Sequence, residues 1–159
     1  MLPLAGVRVL AVEQYGAGPW GTQYMADLGA EVIKIENPKD GGDMSRSVGP
    51  FFIDDGDSSS ASLFFQSINR NKRSLTLDLG SAEGQAVLHD LIPTADVLAC
   101  NLRGDVPEKL GLTYETLGKI NPQIVCAFLT AYGREGPRQK WPGYDYLMQA
   151  EAGYFSLTG

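Results

Sequence analysis

Three glycines and one acid near the N-terminus have the spacing of a phosphate-binding loop. Gly16, Gly18 and Gly21 form a G-x-G-x-x-G pattern between an apolar run and a helix-like segment, and Glu36 ends the next apolar run. In dinucleotide-binding proteins the glycines allow close approach of a pyrophosphate to a helix N-terminus, and the acid binds ribose. One interpretation is therefore an NAD(P)- or FAD-binding oxidoreductase domain.

Two details of the same segment argue against a dinucleotide. Pro19 lies inside the glycine pattern and removes one of the N–H donors that a phosphate would use. Glu36 is followed by Asn37-Pro38 and a long segment rather than by a short return to a sheet. Glycines that are needed only for a tight turn are therefore an equal alternative.

Basic residues cluster after two of the strand-like runs. Arg103 and Lys109 follow one run, and three more basic residues lie at 134–140 after another. Because the carboxyl ends of parallel strands form the ligand crevice, these residues could hold a phosphorylated ligand such as coenzyme A. The basic residues at 70–73 precede their strand and are expected to face elsewhere. Solvated surface charge is the plain alternative for each of them.

Several other chemistries are excluded by the residues that they would need. His89 is the only histidine, and it lies beside Asp90 in an amphipathic segment, where a surface position is expected. Cys100 and Cys126 are dispersed in apolar runs, so no zinc or Cys–His site can be built. The serines at 58–60 have no paired base, which excludes Ser-His-Asp catalysis.

The remaining acids have simple structural interpretations. Asp43, Asp54, Asp55 and Asp57 lie in a segment without periodicity and are expected to be solvated. Asp145 opens a predicted helix, where it most simply acts as an N-terminal cap or dipole partner.

Alternating strand-like and helix-like segments position these residues. Strands are predicted at residues 7–12, 31–36, 74–79, 96–100 and 124–130, and helices at 19–28, 62–69, 81–92, 113–120 and 144–154. Strand, helix and strand in succession form a βαβ unit, which requires a parallel sheet and a right-handed crossover. The chain is therefore predicted to be an α/β protein with a doubly wound parallel sheet, with a long loop at 37–60.

Composition restricts the class of protein further. The 159 residues suit one domain, and 13 basic against 19 acidic residues give a net charge of −6, which argues against nucleic-acid binding. No signal-peptide pattern and no apolar run of about 18 residues is present, so neither export nor a membrane span is expected. Two thiols in apolar runs suit a reducing compartment, and the predicted location is the cytoplasm.

A series of short motifs runs through almost the whole chain in one order. The motifs are LAGVRVL at 4–10, AGP at 17–19, LGAEVIKIE at 28–36, GDMSR at 42–46, NRNKRS at 69–74, LD at 77–78, ADV at 95–97, NLR at 101–103, KLGL at 109–112, INP at 120–122, PGYD at 142–145, QA at 149–150 and TG at 158–159. In this order the chain resembles the family III coenzyme A transferases, which include formyl-CoA and carnitine CoA-transferases and α-methylacyl-CoA racemases.

The resemblance implies a fold and a mechanism. Members are interlocked homodimers whose large domain is Rossmann-like and binds coenzyme A as a substrate, with no covalently bound cofactor and no metal. An aspartate carboxylate attacks the acyl-CoA thioester, and CoA passes through an enzyme-bound thioester to a second carboxylic acid. Residues 1–159 correspond to the N-terminal part of that large domain; the second, small domain and the C-terminal return lie outside them.

The resemblance places the nucleophilic aspartate after the Thr-Gly segment, so it is expected beyond Gly159 and no catalytic residue is expected in this chain. Asp145 is not assigned that role. A non-catalytic CoA-binding remnant is a further alternative.

The resemblance also implies a set of CoA-contacting positions: Tyr15, Gly16, Ala17, Asn37, Leu77, Asn101, Arg103, Lys109, Leu110 and Lys140. The loop at 15–17 corresponds to the segment that wraps the nucleotide end and approaches the thioester, and Leu77 to a position near the adenine. Asn37 stands where many members have arginine. Leu102 and Gly104-Asp105 replace the Phe and Pro-Gly of the family's Asn-Phe-Arg-Pro-Gly segment.

Three positions bear on the type of reaction. Tyr144, a substrate-pocket candidate, stands where racemases of the family carry a catalytic histidine, and tyrosine is a poor base at neutral pH, so the resemblance favours a transferase over a racemase. Gly16 and Val48 replace the Gln and Trp of oxalate-using members, which argues against formyl-CoA/oxalate specificity. The implied partners are an acyl-CoA, a carboxylic acid and a second copy of the chain.

Overall fold

A parallel five-stranded sheet forms the centre of the protein, whose computed structural model describes residues 1–53 and 62–159. Its strands are β1 (Arg8–Val12), β2 (Glu31–Glu36), β3 (Lys72–Thr76), β4 (Val97–Cys100) and β5 (Val125–Phe128). They are all parallel and lie in the order β3-β2-β1-β4-β5. The predicted α/β class and doubly wound sheet are confirmed, and the strand order reverses between β1 and β4, where such folds form their ligand crevice.

Helices connect the strands across both faces of the sheet. They are α1 (Ala17–Asp27), α2 (Leu63–Asn69), α3 (Ala82–Leu91), α4 (Val106–Lys109), α5 (Tyr114–Leu117), α6 (Asp145–Glu151) and α7 (Phe155–Thr158). The hydroxyls of Ser62 and Ser81 accept hydrogen bonds from the N–H groups of Phe65 and Gly84, and so cap α2 and α3. None of the helices in the described residues is long and apolar enough to cross a membrane.

Several elements differ from the sequence prediction: α4 was not predicted, and α5 and β5 are shorter than the predicted segments at 113–120 and 124–130. β3 begins and ends earlier than the predicted strand at 74–79, because it pairs with β2, whose last residue Glu36 lies opposite Thr76. The segment after β2 is not a featureless loop, since Pro38–Asp40 and Met44–Ser47 form 3₁₀ turns. The predicted helix at 144–154 is divided into α6 and α7 at Gly153, whose φ of +78° ends α6.

Alternate residues of β1 enter two different cores. Leu10 and Val12 face a large cluster that includes Leu88 of α3 and Leu98 of β4. Their neighbours Val9 and Ala11 face a smaller cluster under α1, which includes Ala26 and Ala30. The small side chains of this second cluster let α1 lie close to the sheet, and this fixes the loop that leads from β1 into α1.

Candidate functional site

A cleft of about 260 Å³ lies beyond the carboxyl ends of β1, β2 and β3. Apolar side chains line much of it, and these are Val12, Ile35, Leu77, Leu79, Leu102, Val106 and Leu110. Among the predicted CoA-contacting residues, Asn37, Leu77 and Leu110 lie in this lining. We call this the first cleft; its apolar walls suit a flat neutral group such as a base.

A second cleft, of about 220 Å³, adjoins the first and shares Leu102 with it. Asn101 and Arg103, which follow β4, line one side, and Tyr144 lies in the lining contributed by the chain after β5. The structure therefore brings Tyr144 together with Asn101 and Arg103, which come from a distant part of the sequence. Lys140 is exposed on the same loop but does not line the second cleft.

Arg103 and Lys109 share one carboxylate between the clefts. Asp105 accepts a hydrogen bond from Arg103 Nε at 2.5 Å and another from Lys109 Nζ at 2.6 Å. These hydrogen bonds hold the pKa of Asp105 well below its usual range. The side chains of Arg103 and Lys109 are nevertheless 43% and 64% exposed, so each keeps donors that can bind an anion. The i,i+4 spacing of Asp105 and Lys109 in the sequence was the available signal that these two side chains form an ion pair.

The loop from β1 to α1 is held by Asn101. Its side-chain amide accepts from the N–H of Gln14 and donates to the carbonyl of Gln14, both at 2.8 Å. A Cβ on Gly18 would lie 2.6 Å from the Asn101 Cγ, whereas one on Gly16 or Gly21 would meet no atom within 4 Å. Among the three glycines of the G-x-G-x-x-G pattern, Gly18 is therefore the one whose lack of a side chain leaves space for Asn101.

This difference gives a matched pair of substitutions. Gly18→Ala is expected to lower the free energy of unfolding by about 1–3 kcal/mol, since Asn101 must move away from Gln14. Gly21→Ala, in the same helix, is expected to raise it by up to about 1 kcal/mol, because alanine is the better helix former. Urea denaturation of both variants measures the difference, and equal effects would contradict the role given to Gly18.

A buried ion cluster, formed by Glu13, Lys34, Asp43 and Lys72, lies beneath this loop. Lys34 Nζ lies 2.7 Å from Asp43 Oδ2 and 3.6 Å from Glu13 Oε1. Lys72 Nζ lies 2.8 Å from the same Glu13 oxygen, and every side chain of the cluster is at most 2% exposed. Burial lowers the pKa of Lys72, whereas Lys34 and neighbouring N–H groups outweigh burial and lower the pKa of Asp43.

The buried ion cluster corrects two sequence predictions. Asp43 is not solvated, because its carboxylate is one of the cluster's acids. Lys72 does not face away from the site, because its long side chain passes from the start of β3 to Glu13 at the end of β1. Arg70 and Arg73 do face elsewhere, where they pair with surface acids. The predicted solvated acids at 54–57 and the serines at 58–60 lie outside the described residues.

Asp43 connects the buried ion cluster to Tyr15. Its Oδ1 accepts from the Tyr15 N–H at 3.0 Å and from the N–H and hydroxyl of Ser45 at 2.8 and 2.7 Å. Tyr15 has φ of +67°, a left-handed conformation that is unusual for a residue with a side chain. The tyrosine ring packs against Phe64, with ring centroids 5.3 Å apart. Asp43 therefore fixes the conformation of the predicted CoA-contacting loop, although Tyr15, Gly16 and Ala17 line neither cleft.

Glu36, the acid of the dinucleotide interpretation, is fully engaged by protein donors. Arg46 donates to both carboxylate oxygens at 2.7 and 2.8 Å, and the Ser74 hydroxyl and the Asp43 N–H add further bonds at 2.6 and 2.8 Å. Burial would raise the pKa of Glu36, but these bonds outweigh it and lower the pKa to about 2. Glu36 therefore holds the segment after β2 in place, and its oxygens are not open to a ribose.

Comparison with known proteins decides between the dinucleotide-binding interpretation and the resemblance to the CoA-transferases. A sequence model described as "CoA-transferase family III" matches residues 4–159. The chain belongs to CoA-transferase family III. The resemblance inferred from the ordered motifs is thereby confirmed. The two features that supported the dinucleotide interpretation have other roles, since Gly18 leaves space for the Asn101 side chain and Glu36 accepts hydrogen bonds from Arg46.

Characterised and solved relatives agree with this family. The chain is 43% identical to the succinate–glutarate CoA-transferase of Agrobacterium fabrum and 41% identical to the succinyl-CoA:mesaconate CoA-transferase of Haloarcula hispanica, over 99% and 98% of its length. It superposes with a TM-score of 0.86 on a CaiB/BaiF family protein from Brucella suis, at 40% identity over 96% of the chain. A hypothetical protein from Mycobacterium tuberculosis gives a TM-score of 0.84, at 40% identity over 97%.

The family III relatives are considerably longer than the chain. The chain spans 39% of the Agrobacterium protein, 40% of the Haloarcula protein, 39% of the Brucella structure and 41% of the Mycobacterium structure. The clefts described above are therefore the contribution of this part of the fold, and the residues predicted to contact CoA remain predictions.

Proposed function

We propose that this protein transfers coenzyme A from an acyl-CoA to a free carboxylic acid. Residues 1–159 are the N-terminal part of its CoA-binding large domain. The observation that carries the proposal is the family match over residues 4–159, which coincides with an exposed Arg103–Lys109 pair beside an apolar cleft. Because several relatives are named for succinate, glutarate or mesaconate, we propose a short dicarboxylic acid as one of the acids exchanged.

Different residues around the two clefts suit different parts of the coenzyme A molecule. The apolar walls at Leu77 and Leu110 suit the adenine, which is flat and neutral. Arg103 and Lys109 suit the pyrophosphate, because a guanidinium and an ammonium bind phosphate oxygens through charge-assisted hydrogen bonds. The pantetheine arm then follows the loop at 15–17, whose backbone Asp43 holds, and Tyr144 borders the acyl end.

The chemical step uses a nucleophile from outside these residues. An aspartate carboxylate attacks the thioester carbonyl, the C–S bond breaks, and CoA leaves as a thiolate from a mixed anhydride. The thiolate then attacks the aspartyl carbonyl of the anhydride, which releases the first acid and leaves CoA on the enzyme as a thioester. The second acid takes CoA by the reverse of these steps, so no oxidant or reductant is consumed. We propose that the working protein is a cytoplasmic homodimer.

Isothermal titration of coenzyme A into the purified protein, with NAD as a comparison ligand, tests the proposal. We expect CoA to bind and NAD to bind at least about tenfold more weakly. Arg103→Ala is expected to weaken CoA binding about 10- to 100-fold, since a hydrogen bond to a charged group is lost. Arg73→Ala, which removes an exposed cation paired with Glu31 away from both clefts, is the matched control and is expected to leave binding unchanged. Preference for NAD, or equal effects of both variants, would contradict the proposal.

A further inference from the structure

The lining of the first cleft is acidic, which is unusual for a site that binds a nucleotide. Five carboxylates lie in its lining, and these are Glu13, Glu36, Asp40, Asp43 and Asp78. No lysine or arginine is among the described residues that line it. A cleft of this composition accepts a neutral group readily, but its lining offers no cationic side chain to a phosphate placed there.

The cations around the first cleft are already paired with these acids. The pairs are Lys34 with Asp43, Lys72 with Glu13, Arg46 with Glu36, and Lys39 with Asp78. The first three pairs are mostly buried, so those cations cannot turn towards a ligand. Lys39 is exposed, but its Nζ lies 2.7 Å from Asp78, and Asp40 adds a second negative charge nearby.

Coenzyme A carries phosphate at two separate places. Its pyrophosphate joins the 5′ carbon of the adenosine to the pantetheine arm, and a phosphate monoester is attached to the 3′ oxygen of the same ribose. When the adenine occupies the first cleft, the 3′-phosphate stays within one sugar of the base. With the pyrophosphate directed towards Arg103 and Lys109, the opposite side of the ribose would face Asp40 and Asp78, which line the cleft.

We propose that the 3′-phosphate of coenzyme A is not a recognition element for this protein. The inference rests on the proposed function, and it specifies which form of the carrier the first cleft selects. The carboxylates of Asp40 and Asp78 leave the 3′-phosphate without an unpaired cation. CoA and 3′-dephospho-CoA are consequently bound alike, and affinity comes from the adenine, the pyrophosphate and the arm.

Parallel titrations of CoA and 3′-dephospho-CoA test this inference. We expect the two dissociation constants to agree within about threefold. A preference of tenfold or more for CoA in the unaltered protein would overturn the inference and leave the proposed function intact. Binding of neither ligand would overturn the proposed function, and the inference with it.

The double variant Asp40→Asn, Asp78→Asn tests the physical cause. Asparagine keeps the size of each side chain and an acceptor for the Gly80 N–H, but it releases Lys39 to the ligand. We expect this variant to prefer CoA over 3′-dephospho-CoA by about tenfold. Asp90→Asn removes an exposed acid of α3 that does not line the cleft, and it is expected to leave the ratio near one. A ratio that stays near one in the double variant would overturn the assignment of the effect to these carboxylates.

Discussion

Lys34→Met is expected to lower the free energy of unfolding by about 3–5 kcal/mol. Lys34 is the one cation that lies between both acids of the buried ion cluster, 2.7 Å from Asp43 and 3.6 Å from Glu13. Methionine fills the volume of the lysine stem but leaves Asp43 buried without its ion partner, while Glu13 keeps Lys72. The loss comes from a desolvated carboxylate that has lost its compensating charge.

A surface ion pair provides the control for this measurement. Arg138 and Glu151 form a pair at 2.7 Å whose side chains are 49% and 45% exposed. Arg138→Met is therefore expected to change the free energy of unfolding by less than about 1 kcal/mol. Urea denaturation of the two variants under identical conditions compares a buried with an exposed ion pair, and a Lys34→Met loss as small as the control's would contradict the role of the cluster.

Much of the fold follows from local patterns in the sequence. Short runs rich in apolar and β-branched residues, such as residues 7–12 and 96–100, predict buried strands, and the βαβ succession then requires a parallel sheet. The clustering of Asn101 and Arg103 at the ligand edge follows from the same logic, since both come directly after β4. The limits of β3 could not be predicted in this way, because the alternation of polar and apolar residues continues beyond the end of its partner β2.

The buried ion cluster had a weaker signal in the sequence. Lys34 stands between Ile33 and Ile35 in β2, and a lysine in a strand covered on both faces needs a buried partner. That position was the available clue to the cluster. Its partners Glu13, Asp43 and Lys72 could not be deduced, because they lie on separate segments that meet only when the sheet and the turn at Met44–Ser47 are formed.

The glycine pattern illustrates why a motif needs its tertiary contacts. Gly16, Gly18 and Gly21 have the spacing of a pyrophosphate loop, but the close contact at Gly18 is with Asn101. Asn101 is far away in the sequence and becomes a neighbour of the loop only because β4 lies beside β1. Spacing alone therefore could not distinguish a glycine that admits a phosphate from one that admits an asparagine.

Acidification below about pH 4.5 is expected to destabilise the protein through Glu36. Its pKa falls from 4.5 to about 2 on folding, because the bonds from Arg46, Ser74 and the Asp43 N–H outweigh burial. As the pH decreases between these values, the unfolded chain binds a proton while the folded protein does not, so the unfolded state gains stability. Glu36 contributes about 3 kcal/mol to the free energy of unfolding. This contribution is complete above about pH 4.5 and is lost as the pH falls to about 2. Asp43 acts in the same direction.

Glu36→Gln separates this contribution from general acid unfolding. Glutamine cannot titrate, so the variant should be less stable than the unaltered protein at pH 7 but should lose less stability between about pH 5 and pH 2.5. Glu83→Gln, on the exposed face of α3, is expected to preserve the full slope. Urea titrations at each pH give the free energy of unfolding of the unaltered protein and of both variants, and hence its slope against pH for each. Parallel slopes for Glu36→Gln and the unaltered protein would mean that the Arg46 pair does not hold Glu36 ionised, and that the acid sensitivity arises from other carboxylates.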